Sequence, residues 1–302
     1  MSISRACPIC GTPSSSAKIF QKENIDESRI SGFSYASRKE PEYMCHELVQ
    51  CPVCDLVYVS RPPAQEELAN AYHVADYDSS EEATDAAQAY MLAMDSVLSQ
   101  LKRRDSVLEI GSGTGVLLDM LRARGFSELV GVEPSSAAIN AAPEHRRSWL
   151  REGIFREADF APESFDLICC FMTMEHVQDP MATAQSAARL LRPGGAFVTV
   201  THDYRSFVNR AMGKRSPIID IEHMQLFSQA SIRELMQRCG FGDISVKPFV
   251  NRYTLSYWMR LAPLPFGLKS SLKKATHAVG LSKKKIGLNV GNTLAAGYRI
   301  NA

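Results

Sequence analysis

After Asp243 the chain has no aspartate or glutamate, while ten Lys or Arg follow (Lys247, Arg252, Arg260, Lys269, Lys273, Lys274, Lys283, Lys284, Lys285 and Arg299). Against a net charge of +1 for all 302 residues, that leaves −9 on residues 1–243. An acidic body lacks the broad basic surface that a phosphate backbone requires, which speaks against a nucleic-acid partner. The basic end implies an anionic contact, either a peripheral membrane surface or a phosphorylated substrate. A solvated lysine face on an ordinary packing helix is the competing reading. Also absent is any apolar run near the ~18 residues of a membrane span. No signal peptide opens the sequence, and no internal repeat or low-complexity segment interrupts it. Those absences predict a cytoplasmic protein. The remaining composition, 45% hydrophobic and 22% charged, suits a chain that buries a full core.

Glycine is missing where a dinucleotide site needs it. Ser106-Val107-Leu108-Glu109-Ile110 reads as a buried parallel strand, and it runs into Gly111-Ser112-Gly113-Thr114-Gly115. Val116, Leu117, Met120 and Leu121 then set a helix period that stops at Gly125. A G-x-G-x-x-G fingerprint would place its third glycine at 116, which is Val116. A carboxylate, Glu109, instead stands two residues before the first glycine. A pyrophosphate gains little from an acid there, whereas an amino-bearing or cationic ligand gains an acceptor. Leu129-Val130-Gly131-Val132-Glu133 ends in a second acid 22 residues beyond Gly111, the distance that suits a ribose diol. An adenosine with an amino-acid tail and no phosphates fits both acids.

Glu109-Ile110-Gly111-Ser112-Gly113-Thr114-Gly115, Phe165-Asp166-Leu167-Ile168 and Leu191-Arg192-Pro193-Gly194-Gly195 resemble, in order and spacing, the class I S-adenosylmethionine (SAM)-dependent methyltransferases. The resemblance covers about residues 85–302. It implies an α/β, Rossmann-like seven-stranded, mostly parallel sheet with an antiparallel last strand. It also implies SAM held by Glu109, Gly111, Ser112, Gly113, Glu133, Pro134, Ile154, Phe155, Phe171 and Met172. The family's Gly-Asp at the end of the third strand falls on Gly153-Ile154, and Ile154 has no side-chain acceptor. Adenine recognition would then rest on backbone near Ile154 and Phe155, or on Glu157 or Asp159. Relatives that methylate quinone precursors place a Glu three residues before a Glu-His pair and bind a metal. Met172 stands there, before Glu175-His176, so no catalytic metal is expected. Helices over Gln65–Tyr72 and Thr84–Leu101 would cover the cofactor, with Tyr72, Tyr77 and Tyr90 as lid candidates against a plain core reading.

Cys7-Pro8-Ile9-Cys10 and Cys51-Pro52-Val53-Cys54 are two C-x-x-C knuckles with 40 residues between them. Four thiolates in two tight pairs suit a closed, structural Zn²⁺ site with Cys7, Cys10, Cys51 and Cys54 as ligands. Two disulfides or four free thiols are the alternatives, the former disfavoured without a secretion signal. Cys45 and His46 lie nearby as substitute ligands, and Cys169, Cys170 and Cys239 read as core. The chain thus divides into a zinc-ribbon module (1–63), a helical lid or linker (64–104) and the methyltransferase domain (105–302). A basic amphipathic helix is expected within an insertion at about 251–290.

Methyl transfer from a sulfonium needs alignment above all, and a hydroxyl acceptor adds the need for a base, for which histidine is suited. His176, His202 and His223 fall at strand ends or in the expected cover segment. His202 is the leading base, with Asp203 orienting it. His223 is second, as a substrate-binding or alternative base residue, and His176 has a partly architectural reading. The doubled knuckle and Glu222-His223-Met224-Gln225-Leu226-Phe227-Ser228 resemble enzymes that modify sugars or glycans. The expected activity is O-methylation of a small molecule or glycan, phosphorylated in some such pathways. C-methylation of a nucleotide sugar, RNA methylation and a non-catalytic cofactor-binding scaffold are the alternatives.

Overall fold

The computed structural model describes residues 4–36, 42–75, 80–262, 266–278 and 280–300. Strands β1 (Lys18–Gln21), β2 (Leu48–Gln50) and β3 (Val57–Val59) form an antiparallel sheet beside the two cysteine knuckles. Helices α1 (Gln65–His73), α2 (Ser80–Ala93) and α3 (Asp95–Gln100) lead into the larger layer. There β4 (Ser106–Ile110), α4 (Val116–Arg122), β5 (Glu128–Glu133), α5 (Ser136–Ala141), α6 (Glu144–Arg147) and β6 (Leu150–Glu152) alternate. Then come β7 (Phe165–Phe171), α7 (Pro180–Leu190), β8 (Leu191–His202) and α8 (Phe207–Met212). They are followed by β9 (Gln225–Leu226), α9 (Gln229–Arg238), β10 (Phe241–Pro248) and β11 (Asn251–Thr254). α10 (Leu255–Leu261), α11 (Phe266–Ala278), β12 (Lys285–Leu288) and β13 (Asn292–Arg299) complete the chain.

The seven-stranded sheet runs β10-β13-β8-β7-β4-β5-β6, and β13 alone is antiparallel to its neighbours. This is the Rossmann-like arrangement the motifs imply. β4 and β7 are buried at every residue, as central parallel strands covered on both faces must be. At the end of the sheet remote from the glycine turn, Asp166 accepts from the N–H groups of Asp105 (2.9 Å) and Ser106 (3.1 Å) and from Arg192 (3.0 Å). Two of the sequence motifs therefore meet each other and register the sheet. Packing decides the opposite edge. There the carboxyl ends of β4, β5, β7 and β8 open together, where parallel sheets bind ligands.

The cysteine module does not stand apart. β9, drawn from residues 225–226, pairs with β3 as the fourth strand of its sheet. Leu56 and Tyr58 share one buried cluster with Ile168, Leu235 and Met236 of the larger layer. Three local expectations change. The helix read over Thr84–Leu101 turns at Met94, which lets Tyr90 and Met91 of α2 and Val97 and Leu98 of α3 all be buried. The insertion at 251–290 is a β11–β12 hairpin enclosing α10 and α11, where a single amphipathic helix was expected. Leu272, on the expected apolar face of α11, is 39% exposed. Tyr77 lies outside the described residues.

Candidate active site

The glycine turn after β4 can only be made by glycines. Gly111, Gly113 and Gly115 all have positive φ, and a Cβ on Gly111 would sit 2.1 Å from Thr173 Oγ1. The turn's backbone thus forms one wall of a cavity of about 490 Å³. Glu109 and Glu133, 5% and 9% exposed, line that same cavity together with Ser112 and Pro134. Glu133 accepts from Gly113 N at 2.7 Å and Ser135 N at 2.9 Å. A carboxylate has about four lone-pair directions, so two remain for a ribose diol. Burial pushes the Glu133 pKa up, and the two N–H donors work against that shift. Two buried acids and a glycine cradle therefore fit an adenosyl group with an amino-acid tail. Ile154 and Phe155 line the cavity beyond Gly153, and Phe171 and Met172 line it at the end of β7. Glu157 also reaches this cavity, but its carboxylate is bound to Arg189 and Ser186.

The three histidines converge on one buried carboxylate. Glu175, fully buried, accepts through Oε1 from His202 N at 2.7 Å and from His202 Nδ1 at 2.9 Å. Since a carboxylate only accepts, His202 Nδ1 carries the proton and Nε2 is the basic nitrogen. His202 lines the cavity. Burial opposes ionisation of Glu175, yet the neighbouring imidazoles outweigh it and hold its pKa at about 2. His223 donates through Nδ1 to the Ile218 carbonyl at 2.7 Å, and its ring lies 4.8 Å from His176 and 6.0 Å from His202. Burial and the His223 charge depress His176 to about 3. His176 Nδ1 lies 3.1 Å from the Tyr72 hydroxyl and 3.2 Å from the Glu222 carbonyl. One ligand atom from each of Glu175, His176 and His223 falls within 4.8 Å of the others, a metal-compatible spacing despite Met172.

One assignment is corrected. Asp203 does not orient His202: its carboxylate accepts from Arg205 N and Gln229. Neighbours along a strand face opposite ways, so the adjacent acid cannot serve the adjacent imidazole, and Glu175 takes that place. Tyr90 reaches the cavity while packed edge-on against Phe171 at 5.0 Å. Sequence reading missed the far wall, made of Asn251, Tyr253, Tyr257, Trp258 and Asn292. Only the aromatic density of Tyr253-Thr254-Leu255-Ser256-Tyr257-Trp258 in the insertion hinted at it.

Away from the cavity, Cys7 Sγ lies 3.4 Å from Cys54 Sγ, and Cys10 Sγ 3.4 Å from Cys51 Sγ. All four sulfurs fall within 4.8 Å of one another. Tetrahedral Zn–S bonds of ~2.3 Å imply S···S edges of ~3.8 Å, so the cluster has the dimensions of a zinc cage. Cys45 is elsewhere, bonded to Asn24, and Cys169 and Cys170 are fully buried core. Arg5, just before the first knuckle, donates to the carbonyls of Val59 (2.8 Å), Gln178 (2.6 Å) and Met224 (3.2 Å). It thereby ties the module to the segments carrying His176 and His223.

A family model described as a methyltransferase domain matches residues 54–246. A ubiquinone biosynthesis O-methyltransferase of Vibrio cholerae is 24% identical over 167 residues, 49% of this chain and 68% of that protein. The enzyme of the same description from Alkalilimnicola ehrlichii is 31% identical over 115 residues, 35% of this chain and 46% of that protein. Among solved structures, a SAM-dependent methyltransferase of Thermotoga maritima aligns with TM-score 0.47 and 22% identity, covering 70% of this chain and 90% of that one. Geranyl diphosphate C-methyltransferase of Streptomyces coelicolor A3(2) aligns with TM-score 0.48 and 15% identity, covering 79% and 99%. With the family match spanning most of the chain and enclosing the glycine turn, both acids and the histidine cluster, the chain belongs to the methyltransferase-domain family and is a SAM-dependent methyltransferase.

Proposed function

We propose that the protein methylates a hydroxyl of a small molecule, with His202 as the base. The observation that carries this is the 2.9 Å contact from His202 Nδ1 to the fully buried Glu175. It fixes the tautomer, orients the ring and stabilises the imidazolium that forms when Nε2 takes a proton. Bound SAM supplies the electrophilic methyl group. When that methyl moves to the acceptor oxygen and its bond to sulfur breaks, leaving S-adenosylhomocysteine, His202 Nε2 would take the acceptor's O–H proton and pass it to solvent. The relatives described as O-methyltransferases support an oxygen acceptor.

A sugar or glycan hydroxyl remains the favoured acceptor. Asp179, Asp220 and Glu222 line the cavity near His176 and His223, and such a polar rim suits a polyhydroxy compound. The Cys7, Cys10, Cys51 and Cys54 cage holds a structural Zn²⁺, since all four positions come from protein and none is left for water. Of the basic C-terminal residues, Arg260 and Lys285 pair with Glu82 and Asp85 of α2, and Arg299 pairs with Glu163. Two of the ten charges, Arg260 and Lys285, thus clamp the insertion onto the body through α2, and the basic segment as a whole is proposed to meet an anionic partner. No described helix is long and apolar enough to cross a membrane.

The test is His202→Gln, assayed by S-adenosylhomocysteine release with the acceptor in hand. Turnover should fall by ~10²–10⁴-fold while cofactor affinity stays unchanged. Wild-type turnover in that variant would remove His202 from the reaction.

A further inference from the structure

Two asparagines in the cavity wall carry unpaired amide oxygens. Asn251 opens β11 and Asn292 opens β13; they are 2% and 3% exposed, and among the described residues neither buried Oδ1 has a hydrogen-bond partner. Polar groups this deep are nearly always satisfied, so each unpaired oxygen calls for a partner that the folded chain does not itself supply. The β13–β8 register sets Asn292 directly opposite His202. Cross-strand partners put their side chains on one face, so the Asn292 amide stands beside the imidazole that takes the acceptor's proton.

The same wall continues into Tyr253, Tyr257 and Trp258, whose ring centroids lie 4.5 to 6.1 Å apart. The Trp258 indole N–H is already bound to the Ile286 carbonyl at 2.9 Å, which leaves its faces as apolar surface. Among the described lining residues there is no lysine or arginine to hold a phosphate or carboxylate.

We propose that Asn251 and Asn292 form an acceptor-binding pair that reads a second, uncharged hydroxyl next to the one being methylated, on a ring packed against Tyr253 and Trp258. This rests on the hydroxyl-methylation reading above and narrows it: the acceptor is a vicinally hydroxylated ring, and any charged group it carries lies outside the cavity. A planar amide presents a carbonyl acceptor and an NH₂ donor and can turn end for end. The pair therefore serves a hydroxyl both as donor and as acceptor, and an acceptor lacking that hydroxyl leaves the two amides unpaired.

The experiment starts from the whole protein, SAM carrying a CD₃ methyl, and the small-molecule pool of a cell extract, with labelled products identified by mass spectrometry and NMR. The expected product is a methyl ether with a free hydroxyl on the neighbouring ring atom. A labelled product without one overturns the proposal. No labelled product, with calorimetry still showing SAM binding, overturns the hydroxyl-methylation reading and this proposal with it. Asn292→Leu and Asn251→Ala are then compared on the acceptor and on its deoxy analogue. The variants should lose ~10–100-fold in kcat/KM on the acceptor and less than about threefold on the analogue. Equal losses on both compounds would show a merely structural role and overturn the proposal.

Discussion

Replacing Glu175 by glutamine changes one atom and removes one charge at the centre of the histidine cluster. The carboxylate now accepts two hydrogen bonds from His202, at 2.7 and 2.9 Å, in a site with no exposure. Charge-assisted bonds contribute ~1.5–3 kcal/mol and neutral ones ~0.5–1.5. If the glutamine carbonyl keeps its place, the imidazolium formed in the reaction loses ~1–2 kcal/mol of support, roughly 5–30-fold in rate. If the NH₂ group turns toward His202 instead, Nδ1 must become the acceptor and Nε2 carries the proton. The base is then gone, and the loss reaches the ~10²–10⁴-fold of a missing general base. We therefore expect kcat to fall at least fivefold in Glu175→Gln, with S-adenosylhomocysteine affinity unchanged by calorimetry. Because the two residues act as a unit, the double variant with His202→Gln should be no slower than His202→Gln alone. Wild-type kcat in Glu175→Gln, or losses that multiply in the double variant, would refute the pairing.

Zinc analysis should find one ion per chain, lost on Cys51→Ser or prolonged chelation together with a lower Tm. A second ion, bound to Glu175, His176 and His223, would contradict the expectation of no catalytic metal; Glu175 Oε2 could ligate it while Oε1 keeps His202. Arg5→Ala removes three hydrogen bonds to carbonyls and should destabilise by ~1.5–3 kcal/mol in a denaturant titration. It should also slow turnover more than it weakens cofactor binding, because Met224 and Gln178 flank catalytic-side segments. His176 is held at about 3 in the fold against an ordinary value of 6.5. The unfolded chain therefore binds the proton more readily, and stability rises with pH through that window and is lost as pH falls from 6.5 toward 3. At pH 5 the loss from this group is about 1–2 kcal/mol, and Glu175, held near 2, adds in the same direction below about pH 4.5. Melting temperature measured from pH 7 to 5 should fall in the wild type and fall less in His176→Gln.

What the sequence made legible is what short-range pattern controls. The apolar run into three positive-φ glycines specifies β4 and its turn by itself, and Asp179-Pro180 and Ser228 mark the starts of α7 and α9 through local caps. The cysteine cage was readable because each knuckle is a local pair. The rest depends on contacts across long stretches of chain. Glu175 reaches His202 over 27 residues, and nothing at 203 reveals that Asp203 faces away. β9 joins the module's sheet from about 170 residues beyond β3, through a pairing of only two residues. Asn251 and Asn292 look like ordinary loop asparagines until the β11–β12 hairpin and the β13 register bring them to the cavity. The insertion's helical period was real, but its lysines and arginines partly serve α2, through Glu82 and Asp85.

Cofactor binding rests on two acids, Glu109 and Glu133, facing one cavity across the glycine turn. Isothermal calorimetry of the full chain with S-adenosylhomocysteine measures that directly. We predict saturable binding of one molecule per chain, weakened at least tenfold by Glu133→Ala through loss of the ribose hydrogen bonds at ~1.5–3 kcal/mol. No heat of binding by the folded wild-type protein, or undiminished affinity in Glu133→Ala, would contradict it.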